Sequence, residues 1–356
     1  MKIPKSEILS TSCLGRVFTN TVATYKYFWF LSIMQIHAKG GDNRIEIWDI
    51  VIRMVANAWY PIHYFLLSFG KSDSLFNIVK ELQSITQIPI DADTNTIIAG
   101  LTDRLDDKEV KKQLNILTLN VPYRFLHPWI GTSDNNEMVR RSQGFENGCL
   151  YSIYKKGKEF YIVLNPAWDS YLHSHYNILM DFAYWNLTLF LQARNPNVPA
   201  IPSKLIRPEV RSSLIKQHDY WDMVMKIGGP IRCIYTNAEL HPGDYDLDHF
   251  IPWSFVSHDL LWNLIPSDSS INSSKSNKLP DLDYYLPKLA TLQHHSLKVM
   301  LKANKEPKVL EDFISLGYTA EELAKMSKKA FCELYQRTFT PINQIAQNMG
   351  FETWKY

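Results

Sequence analysis

Between Asp246 and Lys275 the sequence places a carboxylate beside an imidazole and follows them with two widely spaced amides. Asp248 and His249 are adjacent, Asn263 follows the histidine by 14 residues, and Asn272 follows it by 23. Such side chains act together only if the chain returns to the same point more than once. A β-hairpin that ends near His249 and a helix that carries Asn272 would converge in this way, and we expect that arrangement.

These residue types suit the hydrolysis of a phosphodiester bond with one metal ion. Asp248 and the amide oxygen of Asn272 are the oxygen donors that a hard cation such as Mg²⁺ or Mn²⁺ prefers, with waters and a substrate phosphate completing the shell. The imidazole of His249 can accept a proton from an attacking water near neutral pH. A bound cation would neutralise charge on the scissile phosphate and stabilise the leaving 3′ oxygen.

The stretch from Cys233 to Pro280 resembles the HNH, or ββα-metal, nuclease domain. It is especially similar to the HNH domain of the RNA-guided CRISPR effector nucleases. The likeness is carried by Asp246-x-Asp248-His249-x-x-Pro252-x-Ser254-Phe255, Asn263, Asn272, Lys275 and Leu279-Pro280. It implies a DNA endonuclease that leaves 5′-phosphate and 3′-hydroxyl ends. His249 would then be the general base, with Asp248 and Asn272 as the metal ligands.

Asn263 and Lys275 complete the predicted catalytic set with His249. Asn263 occupies the position of the family's middle asparagine, where bracing the loop behind the histidine and contacting substrate are both open. Lys275 lies three residues after Asn272, so both side chains share one face of a helix. A phosphate contact and an ordinary solvated lysine are equally compatible with that position. No role is assigned to Asp259.

The sequence departs from the family at its cysteines. Many HNH proteins hold the motif together with paired CxxC knuckles and zinc, whereas here Cys233 stands alone and Thr236 occupies the place of a second cysteine. We therefore expect no structural zinc and a hairpin held by packing. The other cysteines, Cys13, Cys149 and Cys332, are far apart, which favours reduced thiols in a cytoplasmic protein.

A stretch with four prolines, residues 195–208, marks the predicted domain boundary. The expected fold class is α+β and mainly helical. Residues 1–205 would form a helical recognition or regulatory domain with a small β-hairpin, residues 206–300 the ββα-metal nuclease domain, and residues 301–356 a helical C-terminal extension.

Apolar periodicity predicts the individual elements of the N-terminal region. Residues 25–36 are too short and too charged to span a bilayer, and they predict a buried helix instead. A long helix over residues 166–194 should be buried on all sides. The remaining predictions are helices over residues 47–67, 75–82 with Ser74 as N-cap, and 105–117, and a hairpin of residues 150–154 with 159–164. In the nuclease domain we expect a helix over 208–227 and strands over 231–236 and 245–251 joined by a turn.

Charge and motif content leave the rest of the function open. The net charge is only +2, so bulk charge gives no support for nucleic-acid binding. Residues 275–308 hold seven lysines against three acidic residues, which suits either a phosphate-binding cleft or a solvated helix face. Residues 1–205 contain no P-loop and no GxGxxG sequence.

Two hypotheses from different classes follow. In the first, the chain is a self-sufficient DNA endonuclease, set in bacterial defence or a mobile element. In the second, it is a binding or effector subunit whose HNH site is silent until a protein, DNA or guide-nucleic-acid partner engages the N-terminal domain. An HNH unit cuts one strand, so double-strand cleavage would require a homodimer or two successive events. An RNA-cutting toxin is a less favoured third alternative, and no membrane partner is expected.

Overall fold

The structure is a computed structural model that describes residues 2–157, 159–207 and 212–356. The chain divides into two compact units. Unit 1 comprises Met1–Pro196 with Ile201–Arg207, and unit 2 comprises Asn197–Ala200 with Pro208–Tyr356. Helices take up 57% of the residues and strands 9%, so the protein is mainly helical, as predicted. The roles of the three predicted domains stay predictions.

Unit 1 is a helical assembly with one antiparallel sheet, in which the strand order is β1-β3-β2. Its strands are β1 (Arg44–Glu46), β2 (Tyr151–Lys156) and β3 (Glu159–Leu164). Its helices are α1 (Thr11–Leu14), α2 (Tyr25–His37), α3 (Ile47–His63), α4 (Ser74–Thr86), α5 (Thr94–Thr102), α6 (Lys108–Thr118), α7 (Val121–Arg124), α8 (His127–Ile130), α9 (Asn135–Ser142), α10 (Asp169–Ser174) and α11 (Tyr176–Gln192). Short 3₁₀ turns cover Glu146–Gly148, Pro166–Trp168 and Ile201–Lys204.

Two sequence predictions are confirmed in the centre of unit 1. Helix α2 is the buried helix expected there, and its residues from Tyr27 to Met34 are all buried. The predicted hairpin is formed by β2 and β3, which pair in an antiparallel register. Helix and hairpin are joined by a buried hydrogen bond of 3.0 Å from the Trp29 indole to the Tyr151 hydroxyl. Buried indole and phenol groups need such partners, so this contact also fixes how α2 packs on the sheet.

Two details predicted for unit 1 are wrong. The N-cap of α4 is Asp73, not Ser74, because the Asp73 carboxylate accepts a hydrogen bond from the amide of Leu75 at 3.0 Å. The helix predicted over residues 166–194 is interrupted at His175, which has non-helical backbone angles and separates α10 from α11. That helix is also not buried on all sides, since Trp185 on α11 is 50% exposed.

Unit 2 contains three two-stranded sheets among its described residues, of which two are antiparallel and one is parallel, and helices from both ends of its sequence pack around them. Its strands are β4 (Ile231–Arg232), β5 (Glu239–Leu240), β6 (Asp246–His249), β7 (Leu264–Ser267), β8 (Leu279–Pro280) and β9 (Thr353–Trp354). Its helices are α12 (Ile215–Gly228), α13 (Trp253–Val256), α14 (Ser269–Lys275), α15 (Leu282–Lys302), α16 (Ala320–Lys325) and α17 (Lys328–Asn348), with 3₁₀ turns at Leu261–Asn263 and Lys308–Leu316.

The hairpin that carries the motif has a different partner strand from the one predicted. Strand β6 pairs antiparallel with β7, with His249 opposite Leu264, whereas β4 pairs with β5. The sequence hid β7 because it contains Pro266, and a proline within a run argues against a strand. The helix predicted over residues 208–227 begins at Ile215, and residues 208–211 lie outside the described part of the chain.

Helix α15 holds the loop and second strand of this hairpin in place. The buried side-chain amide of Gln293 donates to the carbonyl oxygens of Leu261 at 3.0 Å and of Leu264 at 2.9 Å. The Tyr335 hydroxyl of α17 donates to the carbonyl of Trp262 at 3.4 Å. Among the described residues, no helix combines the length and the apolar composition that crossing a bilayer requires.

Candidate active site

Strand β6, strand β7 and helix α14 form a ββα arrangement around the motif residues. The last two residues of β6 are Asp248, which is buried, and His249, whose side chain is 14% exposed. Strand β7 leads directly to α14, whose N-cap is Asp268 and which carries both Asn272 and Lys275. Helix α14 contacts the end of β6 through Lys275, whereas no hydrogen bond joins Asn272 to Asp248 or His249 among the described residues.

Asp248 is held by two neighbours. Its Oδ1 accepts a hydrogen bond from the Lys275 ammonium at 3.0 Å, and its Oδ2 accepts one from the Tyr235 hydroxyl at 2.7 Å. Burial raises the pKa of Tyr235 well above its usual value, and the Asp248 charge raises it further. Tyr235 is therefore a neutral donor to this carboxylate at any physiological pH.

Lys275 lies inside the domain rather than on its surface. It is 0% exposed, and besides Asp248 it donates to the backbone carbonyl of His249 at 2.7 Å. Burial lowers the pKa of its ammonium, and the Asp248 carboxylate opposes that effect. Lys275 therefore links α14 to the end of β6. Neither of the two roles predicted from the sequence, a phosphate contact or a solvated lysine, describes this position.

A carboxylate from the loop after β6 holds the imidazole of His249. The Nε2 atom of His249 lies 2.9 Å from Oδ1 of Asp259. Because an ionised carboxylate only accepts hydrogen bonds, Nε2 is the protonated nitrogen of this pair. The Nδ1 atom makes no hydrogen bond to the described residues, so it is the nitrogen left to take up a proton.

The loop that carries Asp259 is anchored from two sides. The carbonyl of Asp259 accepts a hydrogen bond from the Gln217 side chain of α12 at 3.0 Å. Two residues later, the amide of Leu261 donates to Asp312 at 2.8 Å. Sequence reasoning placed Asp259 in a loop after the strand and assigned it no role. The available signal was its place in the loop between the two strands of the hairpin.

Asn263 is fully buried and contacts the backbone just beyond His249. Its Nδ2 donates to the carbonyl of Ile251 at 2.9 Å, and its Oδ1 accepts from the amide of Ile251 at 2.9 Å. Its backbone carbonyl accepts from the amide of Phe250 at 2.8 Å. This is the geometry of a brace that closes the loop between β6 and β7.

Asn272 lies one turn before Lys275 on α14 and is partly exposed. Its side chain makes no hydrogen bond to the described residues, so its amide oxygen is available to a ligand. The structure therefore brings Asp248, Lys275 and Tyr235 into direct contact, pairs His249 with Asp259, and places Asn272 on the helix face that Lys275 shares.

The donors predicted for a hard divalent cation are Asp248 and Asn272, and the Asp248 carboxylate already accepts a hydrogen bond from the Lys275 ammonium. Asp248 and Asn272 offer two protein oxygens, which suits Mg²⁺ because it keeps several of its waters. An ionised carboxylate has about four lone-pair sites, so Asp248 has capacity left beside Tyr235 and Lys275. Lys275, however, is itself a cation on the same carboxylate. Among the described residues, no group of three or more His, Cys, Asp or Glu side chains could hold a metal ion.

Comparison with known proteins agrees with the fold of this site. Residues 233–281 match a family model described as HNH endonuclease. Together with the ββα arrangement of β6, β7 and α14, this match supports an HNH endonuclease domain in this segment. No curated protein and no solved structure matches the chain, and the particular likeness to CRISPR effectors stays a prediction.

Proposed function

We propose that the protein is a divalent-cation-dependent endonuclease that hydrolyses phosphodiester bonds of DNA. The observation that carries the proposal is the His249–Asp259 pair, which lies within the matched HNH segment. A histidine with one nitrogen held by a carboxylate has its other nitrogen oriented for proton transfer. DNA is favoured over RNA by the family resemblance.

In this mechanism His249 acts as the general base. Its Nδ1 takes the proton of the water that attacks the phosphorus, and Asp259 keeps the ring in position and stabilises the imidazolium that forms. Asn263 and Lys275 position the other site residues. Asn263 closes the loop behind His249, and Lys275 holds Asp248 and the end of β6.

Asp248 and Asn272 would hold one Mg²⁺ or Mn²⁺. The bound cation would supply charge neutralisation at the scissile phosphate and at the leaving 3′ oxygen. The products would then carry 5′-phosphate and 3′-hydroxyl ends.

The direct test is nicking of supercoiled plasmid by the full-length protein in Mg²⁺ or Mn²⁺, with EDTA as the metal-free control. His249→Ala should abolish nicking while the protein stays folded. His241→Ala is the matched control, because it removes another histidine of unit 2 whose side chain is mostly exposed. Nicking that persists in His249→Ala, or that is equally lost in His241→Ala, would refute the assignment of the base.

A second function is favoured by the contact of Lys275 with Asp248. A fully buried ammonium on the carboxylate that should bind the cation suits a site that stays silent until a partner rearranges it. In this alternative the full-length protein binds DNA without cutting it, and cleavage appears only when a protein or guide nucleic acid engages unit 1. The cytoplasmic location, the bacterial-defence or mobile-element setting and a homodimer remain predictions.

A further inference from the structure

Unit 1 contains a pocket of about 480 Å³ at the start of helix α2. Its basic side chains are Lys26 on α2, Arg124 at the end of α7 and His127 at the start of α8. Among the described residues that line it there is no aspartate and no glutamate. We call this feature the α2 pocket. Its volume is within the range of about 300–1,000 Å³ that is usual for small-molecule sites.

The positive charges of the α2 pocket are not compensated by neighbours. Lys26 is half-buried, and among the described residues its ammonium donates to one acceptor, the carbonyl of Val17 at 3.2 Å. Burial lowers the pKa of Lys26, and the nearby Arg124 charge lowers it further. Within the described part of the chain, Arg124 forms no ion pair with a carboxylate.

The carboxylate that follows the lining residue Ser72 in the chain is already engaged. Asp73 follows the lining residue Ser72 and is buried, and its two oxygens accept hydrogen bonds from the amides of Thr24 at 2.7 Å and Leu75 at 3.0 Å. It therefore acts as the cap of α4 rather than as a counter-ion exposed in the pocket. Two cations that face the same cavity repel each other, and an anion between them removes that cost.

We propose that the α2 pocket binds the phosphate group of a nucleotide, either free or at the 5′ end of a nucleic-acid strand. Arg124 supplies the planar guanidinium that recognises phosphate with two parallel hydrogen bonds, and Lys26 supplies a point charge. Val22, which is 81% exposed, and Val121 give the apolar wall against which a sugar or base can lie.

This assignment goes beyond the nuclease activity, because it gives a ligand to the unit that does not contain the HNH domain. It also makes the α2 pocket the place where a nucleic-acid partner of the second functional alternative would be sensed. The ligand class is set by the charges and the apolar wall together, since inorganic phosphate alone would leave that wall uncovered.

The test is isothermal titration of the full-length protein in EDTA, so that binding is read without cleavage. The probes are adenosine 5′-monophosphate, adenosine, inorganic phosphate, and a short DNA oligonucleotide with either a 5′-phosphate or a 5′-hydroxyl. The variants are Arg124→Gln and Lys26→Met. Arg140→Gln is the matched control, because Arg140 is an exposed arginine of unit 1 outside the pocket.

We expect the phosphorylated probes to bind at least about tenfold more tightly than adenosine or the 5′-hydroxyl strand. Arg124→Gln and Lys26→Met should each weaken that binding at least about tenfold, and Arg140→Gln should leave it unchanged. Preference for the monophosphate over the 5′-phosphorylated strand would identify a free nucleotide as the ligand, and the reverse would identify a strand end.

Three results would overturn the proposal. One is the failure of every phosphate-bearing probe to bind to a wild-type protein that is folded by circular dichroism. Another is equal binding of adenosine and its monophosphate together with equal binding of the two oligonucleotides, which would show that neither kind of phosphate is recognised. The third is an equal effect of Arg124→Gln and Arg140→Gln. Plasmid nicking by the wild type is measured separately, so a failure here leaves the nuclease proposal standing.

Discussion

Replacing Lys275 by methionine should destabilise unit 2 by about 3–5 kcal/mol, the usual cost of removing one partner from a buried ion pair. The magnitude follows from the geometry of the pair. Asp248 is only 3% exposed, and in the variant its Oδ1 loses the ammonium at 3.0 Å and keeps only Tyr235 on the other oxygen. The carbonyl of His249 loses its partner at 2.7 Å as well.

Urea denaturation followed by tryptophan fluorescence measures this change, with the transition of unit 2 fitted separately because two-domain chains need not unfold in one step. Lys278→Met is the matched control. Lys278 is a largely exposed lysine paired with Glu352 at 3.6 Å, so its loss should cost less than about 1 kcal/mol. The double variant Lys275→Met with Asp248→Leu should recover much of the stability, since no buried charge is left unpaired.

The same variant tests whether Lys275 competes with a metal ion. Once the ammonium is gone, Mn²⁺ is the only cation that can neutralise Asp248. Mn²⁺ should therefore raise the melting temperature of Lys275→Met by several degrees more than that of the wild type. A loss of less than about 1 kcal/mol in Lys275→Met, or equal losses in Lys275→Met and Lys278→Met, would refute the reasoning.

Three further predictions follow from other contacts. Asp259→Asn should lower kcat for plasmid nicking by about 10–100-fold with little change in KM, because the imidazole of His249 loses its orienting charge; an unchanged kcat would contradict that role. Asn263→Ala should cost about 2–4 kcal/mol in urea denaturation, since it leaves the buried amide and carbonyl of Ile251 unpaired; a loss below 1 kcal/mol would show that the loop does not depend on this brace. Burial lowers the pKa of His63 from its ordinary value to about 4. As pH falls, the unfolded chain therefore takes up the proton of this histidine before the folded chain does, so the free energy of unfolding of unit 1 should be constant above about pH 6.5 and decrease by up to about 3 kcal/mol towards pH 4. His63→Gln should flatten that profile.

Local patterns were sufficient to predict several parts of the fold. Strands β2 and β3 were predictable because β-branched and aromatic residues flank a turn that contains Gly157. Helix α2 was predictable because an apolar run of that length has to be buried. Strand β7 was not, because Pro266 breaks the strand signal, and the contact of its Leu264 carbonyl with Gln293 of α15 lies far away in the sequence.

The candidate site shows the same division between local and distant information. Asp248, His249 and Asn272 could be singled out from the sequence because their types and their spacing match the motif. The partners of these residues come from elsewhere, since Asp259 lies in a loop and Tyr235 lies 13 residues before Asp248. The burial of Lys275 could not be predicted from the sequence. Its spacing from Asn272 fits a solvent-exposed lysine as well as a buried one, and only the packing of α14 on β6 decides between them.

The most direct measurement on the central claim is an end-group analysis of plasmid nicked by the full-length protein in Mn²⁺. The proposed chemistry predicts 5′-phosphate and 3′-hydroxyl ends, so DNA ligase should reseal the nicks, and His249→Ala should produce none. Nicks that ligase cannot seal, or resealable nicks that appear equally with His249→Ala, would contradict hydrolysis by this HNH site.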